Sequence, residues 1–347
     1  MTETSRSSSL TERRLAPARP RLGFAGAGWI GRHRLGAIAA AHFADIVAIY
    51  DPAPACAREA LAHAPSALLT TSFDELLACD LDGVVIATPS ALHAEQTIAA
   101  LHRGLAVFCQ KPLGRSREET VRAISAARQN DRLLQVDLSY RFTAGAEAIS
   151  QLIREGTIGE VYGIEAVFHN AYGPDKPWFY DPRLSGGGCL LDLGIHLVDL
   201  ALWSLDFPAV TAVCGHLLHQ GRPLRDRSTE VEDYAAAQFV TATGASVQLA
   251  CSWKAPAGAD ALIRIHWLGT RGGALLQNVG GSFYDFTAEH LLPDRSRRVL
   301  AQPPDAWGGR AAVAWARQLA QSPAFDPSVE HLETVAAVLD HIYGRHS

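Results

Sequence analysis

Three side chains with acid–base chemistry, Lys111, Asp192 and His196, stand where the sequence predicts an active site. Asp192 and His196 are four residues apart in a helical pattern from Cys189 to Trp203, so both side chains stack on one helical face. Histidine titrates near neutral pH, as a general base requires, and a carboxylate one turn earlier could raise its basicity or bind a substrate hydroxyl. Alone, this pair favours a capped helix that carries an incidental histidine, and a dinucleotide-binding domain nearby reverses that preference.

Lys111 follows an apolar run that ends at Cys109, and it precedes Pro112. Proline biases the residue before it toward extended backbone, which restricts where Lys111 can point. A lysine at the carboxyl end of a strand can hydrogen-bond a substrate oxygen and stabilise developing negative charge. Because a Lys-Pro pair at a strand end is usually only a solvated turn, its role depends on the elements around it.

A glycine-rich turn predicts a site for a dinucleotide. The strand-like run Arg21–Ala25 leads directly into the sequence Gly26-Ala27-Gly28-Trp29-Ile30-Gly31. The first glycine allows a sharp turn, the second lets the backbone approach a pyrophosphate, and the third lets helix and strand pack closely. Asp51 ends the next apolar run, about 20 residues further on, where a carboxylate binds the adenosine ribose. No arginine or serine follows Asp51 to receive a 2′-phosphate, so we expect NAD as the cofactor.

Two domains with different patterns must position these residues. Residues 21–140 alternate strands with helices, which predicts an α/β domain with a doubly wound parallel sheet. Residues 141–347 contain consecutive strand-like runs between about 159 and 278, interrupted by one long helix, which predicts a separate α+β domain with an antiparallel or mixed sheet. Helical patterns return at 310–322 and 330–343, and we expect these helices to pack back on the first domain.

Composition excludes several classes of protein. The chain has 347 residues, 48% hydrophobic and 19% charged, which describes a globular protein with a sizeable core. A net charge of −5 argues against a nucleic-acid partner. Residues 1–20 have the composition of a disordered tail, and no long apolar segment follows Arg13-Arg14 or approaches the ~20 residues that span a bilayer. We therefore expect a cytoplasmic protein without a membrane partner or a metal.

The chain resembles the Gfo/Idh/MocA oxidoreductases, a family that includes inositol and sugar dehydrogenases and glucose–fructose oxidoreductase. The resemblance extends from Arg21 to about Tyr343. It rests on the glycine turn, the segment Ala-Thr-Pro-Ser-Ala-Leu-His at 87–93, the Lys-Pro pair and the Gly-Gly-Gly helix with Asp192 and His196. It implies a Rossmann domain followed by a large open, mostly antiparallel sheet, which carries the substrate and often builds homo-oligomers such as dimers or tetramers.

The resemblance also implies roles for individual residues. Lys111, Asp192 and His196 would be the catalytic residues: His196 would take the hydroxyl proton as hydride leaves for the nicotinamide, and Lys111 would polarise the oxygen. The further cofactor contacts would be Thr88, Pro89, His93 and Gln110. The family usually has Glu-Lys-Pro, so Gln110 is a departure. The substitution removes a negative charge near Lys111, so the protonated form of the lysine is stabilised less strongly. Glutamine can still hydrogen-bond a ribose.

Aromatic residues between 169 and 181 predict a site for a ring-shaped polyol. The candidate substrate contacts besides the catalytic residues are Arg141, His169, Tyr172 and Trp178. Because the loop has no arginine cluster, we expect a substrate without phosphate groups. A packed aromatic loop at a subunit contact is the alternative for the loop, and a salt bridge at the domain junction is the alternative for Arg141.

The leading hypothesis is an NAD-dependent dehydrogenase that oxidises a secondary hydroxyl of a sugar, sugar derivative or cyclitol to a ketone. One alternative is a redox-neutral enzyme that retains tightly bound NAD(P). A second alternative, from another class, is a catalytically inactive nucleotide-binding regulatory protein. The presence of Lys111, Asp192 and His196 argues against that second alternative, because a binding protein needs none of them.

Overall fold

The first domain is built on a six-stranded parallel sheet. The computed structural model describes residues 19–345, so nearly all of the predicted tail at 1–20 lies outside the described residues. The strands follow the order β3-β2-β1-β4-β5-β6, and every neighbouring pair is parallel. This confirms the doubly wound sheet. The strands are β1 (Arg21–Ala25), β2 (Asp45–Tyr50), β3 (Leu68–Thr70), β4 (Gly83–Ile86), β5 (Ala106–Cys109) and β6 (Leu134–Val136).

Helices connect these strands and begin at recognisable caps. Ser72 and Ser116 accept hydrogen bonds from the backbone N–H groups of Glu75 and Glu119, three residues into their helices. The residues of β4 and β5 are all buried, as strands covered on both faces must be. The helices are α1 (Trp29–Ala41), α2 (Pro54–Ala60), α3 (Phe73–Leu77), α4 (Ser90–His102) and α5 (Arg117–Gln129).

The second domain is built on a nine-stranded sheet in the order β15-β14-β13-β12-β7-β11-β10-β8-β9. Only β7 and β11 pair in parallel, which confirms the mostly antiparallel sheet. Strands β9, β14 and β15 were not predicted. The strands are β7 (Val161–Asn170), β8 (Val210–His219), β9 (Arg222–Pro223), β10 (Tyr234–Thr241), β11 (Ser246–Ser252), β12 (Ala261–Gly269), β13 (Gly272–Asn278), β14 (Phe286–Leu291) and β15 (Arg297–Ala301).

Helices pack on one face of this sheet and link it to the first domain. The helices are α6 (Ala144–Arg154), α7 (Pro182–Ser185), α8 (Ile195–Ser204), α9 (Arg310–Gln321) and α10 (His331–Ile342). Helix α9 packs on the parallel sheet, where the ring centroid of Trp315 lies 5.7 Å from that of Phe108. Helix α10 contacts α5 of the first domain as well as α8 and β8 of the second. The C-terminal helices therefore join the two domains.

One helical segment, Pro182–Ser204, is long and apolar enough to span a membrane, contrary to the expectation from the sequence, but 89% of its most apolar stretch is buried within the fold. That burial is the setting of a core helix. The segment is not a regular α-helix, because Leu190–Gly194 forms a π-helical turn between α7 and α8. This turn carries Asp192 and leads directly to His196.

Candidate functional site

A cleft of about 770 Å³ lies at the carboxyl ends of the parallel strands and is walled by both domains. Ligands of doubly wound folds bind at this edge. Cofactor and substrate therefore have one shared site available. The predicted site residues that line it are Gly26, Gly28, Trp29, Ile30, Asp51, Thr88, Pro89, His93, Gln110, Lys111, Trp178, Asp192 and His196.

The glycine turn leaves room for a ligand at one position and none at the other two. Gly26 has a φ of +92°, and a Cβ there would lie 2.4 Å from the carbonyl oxygen of Ala87. Gly31 is outside the cleft lining, and a Cβ there would lie 2.1 Å from the carbonyl oxygen of Gly26. A Cβ on Gly28 would meet no protein atom within 4 Å. The turn thus forms an open cradle at the start of α1, which fits a dinucleotide pyrophosphate.

Asp51 is held in place by the turn that it faces. Its Oδ2 accepts a hydrogen bond of 2.6 Å from the N–H of Ala27, and its Oδ1 accepts one of 2.8 Å from the N–H of Ala53. The carboxylate lines the cleft one strand away from the glycine cradle. This is the position that an adenosine ribose occupies in dinucleotide-binding folds.

His93 ties together two loops at the floor of the cleft. Its Nδ1 lies 2.7 Å from the carbonyl oxygen of Pro112, and its Nε2 lies 2.6 Å from that of Thr88. Burial lowers the pKa of the ring, although both carbonyl contacts oppose this. Both ring nitrogens are therefore engaged by the protein itself, so His93 can shape the cofactor site by holding these loops together.

Lys111 and Asp192 are brought together across the domain junction. The Nζ of Lys111 donates to Asp192 Oδ1 at 2.6 Å and to the Asp192 carbonyl oxygen at 2.7 Å. The other carboxylate oxygen accepts a hydrogen bond of 2.9 Å from Nε1 of Trp253, which follows β11. Trp253 was not predicted, because an apolar run that ends in tryptophan is an ordinary core signal. Its indole nonetheless fixes the carboxylate that holds Lys111.

His196 lies in the same cleft but has a different environment from the predicted one. It is 7% exposed, packs against the Tyr140 ring at a centroid distance of 4.7 Å, and its buried Nδ1 has no partner among the described residues. Burial lowers its pKa well below the usual value, and the positive charges of Lys111 and Arg34 lower it further. The imidazole is therefore neutral near pH 7 and available to accept a proton.

The expectation that Asp192 increases the basicity of His196 is not supported. No hydrogen bond joins the two side chains among the described residues, because the carboxylate of Asp192 binds Lys111 and Trp253. The physical reason is that both carboxylate oxygens of Asp192 are already bound, and the segment that carries it, Leu190–Gly194, is π-helical and not the regular α-helix that the sequence predicted. Asp192 and His196 therefore lie in the same cleft, but the carboxylate of Asp192 binds Lys111 and not His196.

A buried carboxylate anchors the start of this helical segment. Glu232 Oε1 accepts hydrogen bonds from the N–H groups of Gly188 and Leu190, both at 2.9 Å, and from the hydroxyl of Tyr343 at 2.7 Å. The Glu232 carbonyl oxygen accepts from the N–H of Cys189 at 3.0 Å. Free N–H groups at a helix start need such acceptors, and the segment that leads into β10 supplies them. The position of Asp192 therefore depends on the segment before β10 and on the residue that follows α10.

Arg141 lies outside the cleft lining. Its guanidinium donates to both carboxylate oxygens of buried Asp199, one at 2.8 Å, and sits 5.1 Å from the ring centroid of Phe207. This is the salt bridge at the domain junction that the sequence left open as an alternative.

His169 and Tyr172 are also absent from the cleft lining, where Phe168 and Asn170 appear instead. Successive side chains of a strand point to opposite faces, so His169 lies on the other face of the sheet from its neighbours. Its ring stacks on Tyr234 at 6.1 Å. Asn170 was not predicted as a site residue, although strand alternation would have placed either it or His169 in the cleft.

Family comparisons agree with this architecture. A family model described as "Oxidoreductase family, NAD-binding Rossmann fold" matches residues 21–138, and one described as "GFO/IDH/MocA C-terminal domain" matches residues 146–275. A candidate oxidoreductase subunit of UDP-kanosamine synthase from Amycolatopsis mediterranei is 30% identical over 267 residues, covering 73% of each chain. The chain belongs to the Gfo/Idh/MocA oxidoreductase family. The resemblance seen in the sequence is thus confirmed, and the first domain is an NAD-binding Rossmann domain.

Other Gfo/Idh/MocA relatives match shorter parts of the chain. D-glucoside 3-dehydrogenase from Escherichia coli is 34% identical over 142 residues, 41% of this chain and 40% of that protein. The first three relatives are matched over 38% to 56% of their own length. Among solved structures, levoglucosan dehydrogenase in complex with NADH and levoglucosan has a TM-score of 0.79 at 23% identity, covering 94% of this chain and 97% of that one. This last likeness shows the shared fold.

The glycine cradle leads to a paired prediction. Gly28→Ala should fold normally but bind NAD at least tenfold more weakly, because the added methyl projects into the open cradle and not into protein. Gly31→Ala should instead lower the free energy of unfolding by about 1–3 kcal/mol, because its methyl meets backbone. Urea unfolding and calorimetric NAD titration measure the two effects. Equal loss of stability in both variants would contradict the assignment of Gly28 to the cofactor.

Proposed function

We propose that this protein is an NAD-dependent dehydrogenase that oxidises a secondary hydroxyl of an unphosphorylated sugar, sugar derivative or cyclitol to a ketone. The observation that carries the proposal is the convergence of Lys111 and His196 on the cleft that contains the glycine cradle. A cofactor-binding protein without activity requires neither residue there. Names of family relatives, among them D-glucoside 3-dehydrogenase and inositol 2-dehydrogenase, support the substrate class.

The proposed reaction uses the two residues in separate roles. Neutral His196 accepts the hydroxyl proton, for which its lowered pKa keeps it ready at pH 7. The ammonium of Lys111 donates a hydrogen bond to the same oxygen and stabilises the negative charge that develops on it. Asp192 and Trp253 hold Lys111 in position through the contacts described above. NAD, when bound, supplies the hydride acceptor.

The charges of the cleft favour a neutral substrate. Lys111 is paired with Asp192, Arg34 with Asp137 and Lys176 with Asp175, at 2.6, 2.5 and 3.2 Å. A phosphate would have to compete with a carboxylate for each of these cations. The stacked rings of Trp178 and Phe179, 3.8 Å apart, add an aromatic wall that suits the apolar face of a sugar ring.

Asp51 predicts a preference for NAD over NADP. A carboxylate about 4 Å from the 2′-phosphate costs about 4 kcal/mol at an effective dielectric near 20, and salt screening reduces this. We expect kcat/KM to be at least tenfold higher with NAD than with NADP. The Asp51→Ser variant should have a smaller difference between the two cofactors. Arg58 is exposed on α2 and is the nearest candidate for an opposing effect, so Arg58→Ala serves as the control. A higher kcat/KM with NADP would reject this assignment.

His196 predicts both a rate and a pH profile. His196→Asn should lower kcat by about 10²–10⁴ while the Kd for NAD stays within about threefold, since a positioned base contributes this much to the rate. In the wild-type protein, kcat/KM should rise with pH through a pKa below 6.5 and then level off, because only the neutral ring accepts a proton. Steady-state kinetics across pH measure both. Near-normal turnover by His196→Asn would transfer the role of base to another group.

The paired cations predict substrate selectivity. In a panel of sugars and cyclitols and their phosphate esters, assayed at saturating NAD, the free compounds should have the higher kcat/KM. We expect a difference of at least tenfold, about 1.4 kcal/mol, because each cation would lose a carboxylate partner to bind phosphate. A tenfold preference for the phosphate esters would overturn the unphosphorylated class and leave the redox assignment intact.

The open face of the nine-stranded sheet predicts self-association. No described helix packs on this face, which carries Val167, Ala250 and Tyr234, and Leu262 is 42% exposed there. We propose that a second copy of the chain covers it. Light scattering should show a dimer or tetramer, and Leu262→Arg should weaken it. Leu68→Arg, at an exposed site on the edge strand β3, should not. A wild-type monomer at micromolar concentration would reject the proposal.

A further inference from the structure

A buried polar network lies at the floor of the cleft beneath Gln110. The carboxylate of Asp137 is fully buried, and its Oδ2 accepts hydrogen bonds from Arg34 Nε and Gln110 Nε2, both at 2.5 Å. Its Oδ1 accepts from the hydroxyl of Ser139, which also receives a hydrogen bond of 2.9 Å from Arg34 Nη2. The three segments involved are α1, the end of β5 and the turn after β6. One carboxylate therefore binds a cation and two neutral donors.

This network determines which end of the Gln110 amide faces the cleft. The NH₂ group points inward to Asp137, so the carbonyl Oε1 is the polar atom that remains for a ligand. Among the described residues, Oε1 has no hydrogen-bond partner. Gln110 also immediately precedes Lys111 and directly follows β5, the strand next to β4. It therefore presents an acceptor beside the reacting centre, where hydroxyl groups of a bound ligand would donate.

We infer that Asp137 is a positioning residue for the cofactor, which orients Gln110 so that Oε1 accepts a hydrogen bond from the ribose on the nicotinamide side of NAD. The inference rests on the proposed function for its ligand. Asp137 also provides the one negative charge that this pair of positions holds, and Arg34 balances it. Gln110 thus supplies the hydrogen-bond acceptor for the ribose, and Asp137 supplies the negative charge next to it.

The arrangement admits only one carboxylate. A glutamate at position 110, the usual residue of the family, would place a second carboxylate within hydrogen-bonding distance of Asp137 Oδ2. Two carboxylates this close cannot both ionise freely, and Arg34 is the only cation bonded to them among the described residues. The residue that is normal for the family should therefore be harmful here, unless position 137 loses its charge at the same time.

The test is a charge exchange measured by calorimetric titration of the full-length protein with NAD. Q110E should raise the Kd at least tenfold. D137N should raise it severalfold and lower the melting temperature, because Arg34 loses its buried partner. Q110E/D137N restores one carboxylate and should bring the Kd back to within about threefold of wild type. The control Q129E places the same substitution at an exposed helix end and should change neither quantity.

The pH dependence of NAD affinity distinguishes charge repulsion between the two positions from a purely structural effect of the substitutions. Q110E should gain affinity between about pH 8 and pH 6, because a proton shared by the two carboxylates removes the repulsion, whereas Q110E/D137N should follow the wild-type profile. Other charged groups around the pair are His33 and Arg34 on α1, Lys111 after β5, and Asp192 and His196 from the second domain. They are common to all variants and cancel in the comparison.

Two results would overturn the inference: wild-type affinity in Q110E, or a double variant that binds NAD no better than Q110E. If Q110E does not fold, recovery of folded, NAD-binding protein on adding D137N supports the inference, and failure to recover it overturns it. A wild-type protein that does not bind NAD would overturn the proposed function, and this inference with it. Wild-type binding without the exchange pattern would leave the proposed function standing.

Discussion

The ion pair between Lys111 and Asp192 is the contact on which the rest of the site depends. It joins the end of a strand in the first domain to a helical turn in the second, so it exists only when both domains are folded and docked. A partly buried ion pair needs further hydrogen bonds to offset its lost hydration. Trp253 and the carbonyl oxygen of Asp192 provide them. Because of this ion pair, Lys111 lines the cleft, and His196 makes no hydrogen bond to the carboxylate of Asp192 among the described residues.

Supports for this pair extend far into the second domain. Glu232 lies on the segment leading into β10, and Tyr343 follows α10, yet both act at the start of the helix that carries Asp192. Burial raises the pKa of Glu232, and the hydrogen bonds from Tyr343, Leu190 and Gly188 counteract this. The turn that carries Asp192 is thus held by two residues that are 111 positions apart, and the core of the second domain helps to position the candidate site.

Charge is balanced locally throughout the cleft. The cations Arg34, Lys111 and Lys176 each have a carboxylate partner, and Asp51 is held by backbone N–H groups. Such a cleft attracts no strong anion on its own, and recognition must come from hydrogen bonds and ring faces. Under the proposed function, the glycine cradle would bind the phosphates of the dinucleotide, and the paired side chains would bind the hydroxyl groups of a neutral polyol.

Local sequence determined the parts that local physics controls. The glycine turn, Asp51 and the alternation of strands and helices follow from backbone sterics and side-chain period, so both types of sheet and about a third of the residues that line the cleft were predictable. Short elements such as β3 and α3 were missed because a few residues carry little periodic signal. Only the tertiary structure decided which side chains contact each other. The hydrogen-bonded pairs are Trp253 with Asp192, Gln110 with Asp137, and Arg141 with Asp199. The tertiary structure also decided that the ring of His169 stacks on Tyr234 and lies outside the cleft. These contacts form only when segments that are distant in the sequence meet in the folded chain. The π-helical turn at Leu190–Gly194 also has a residue pattern that the sequence does not distinguish from an α-helix.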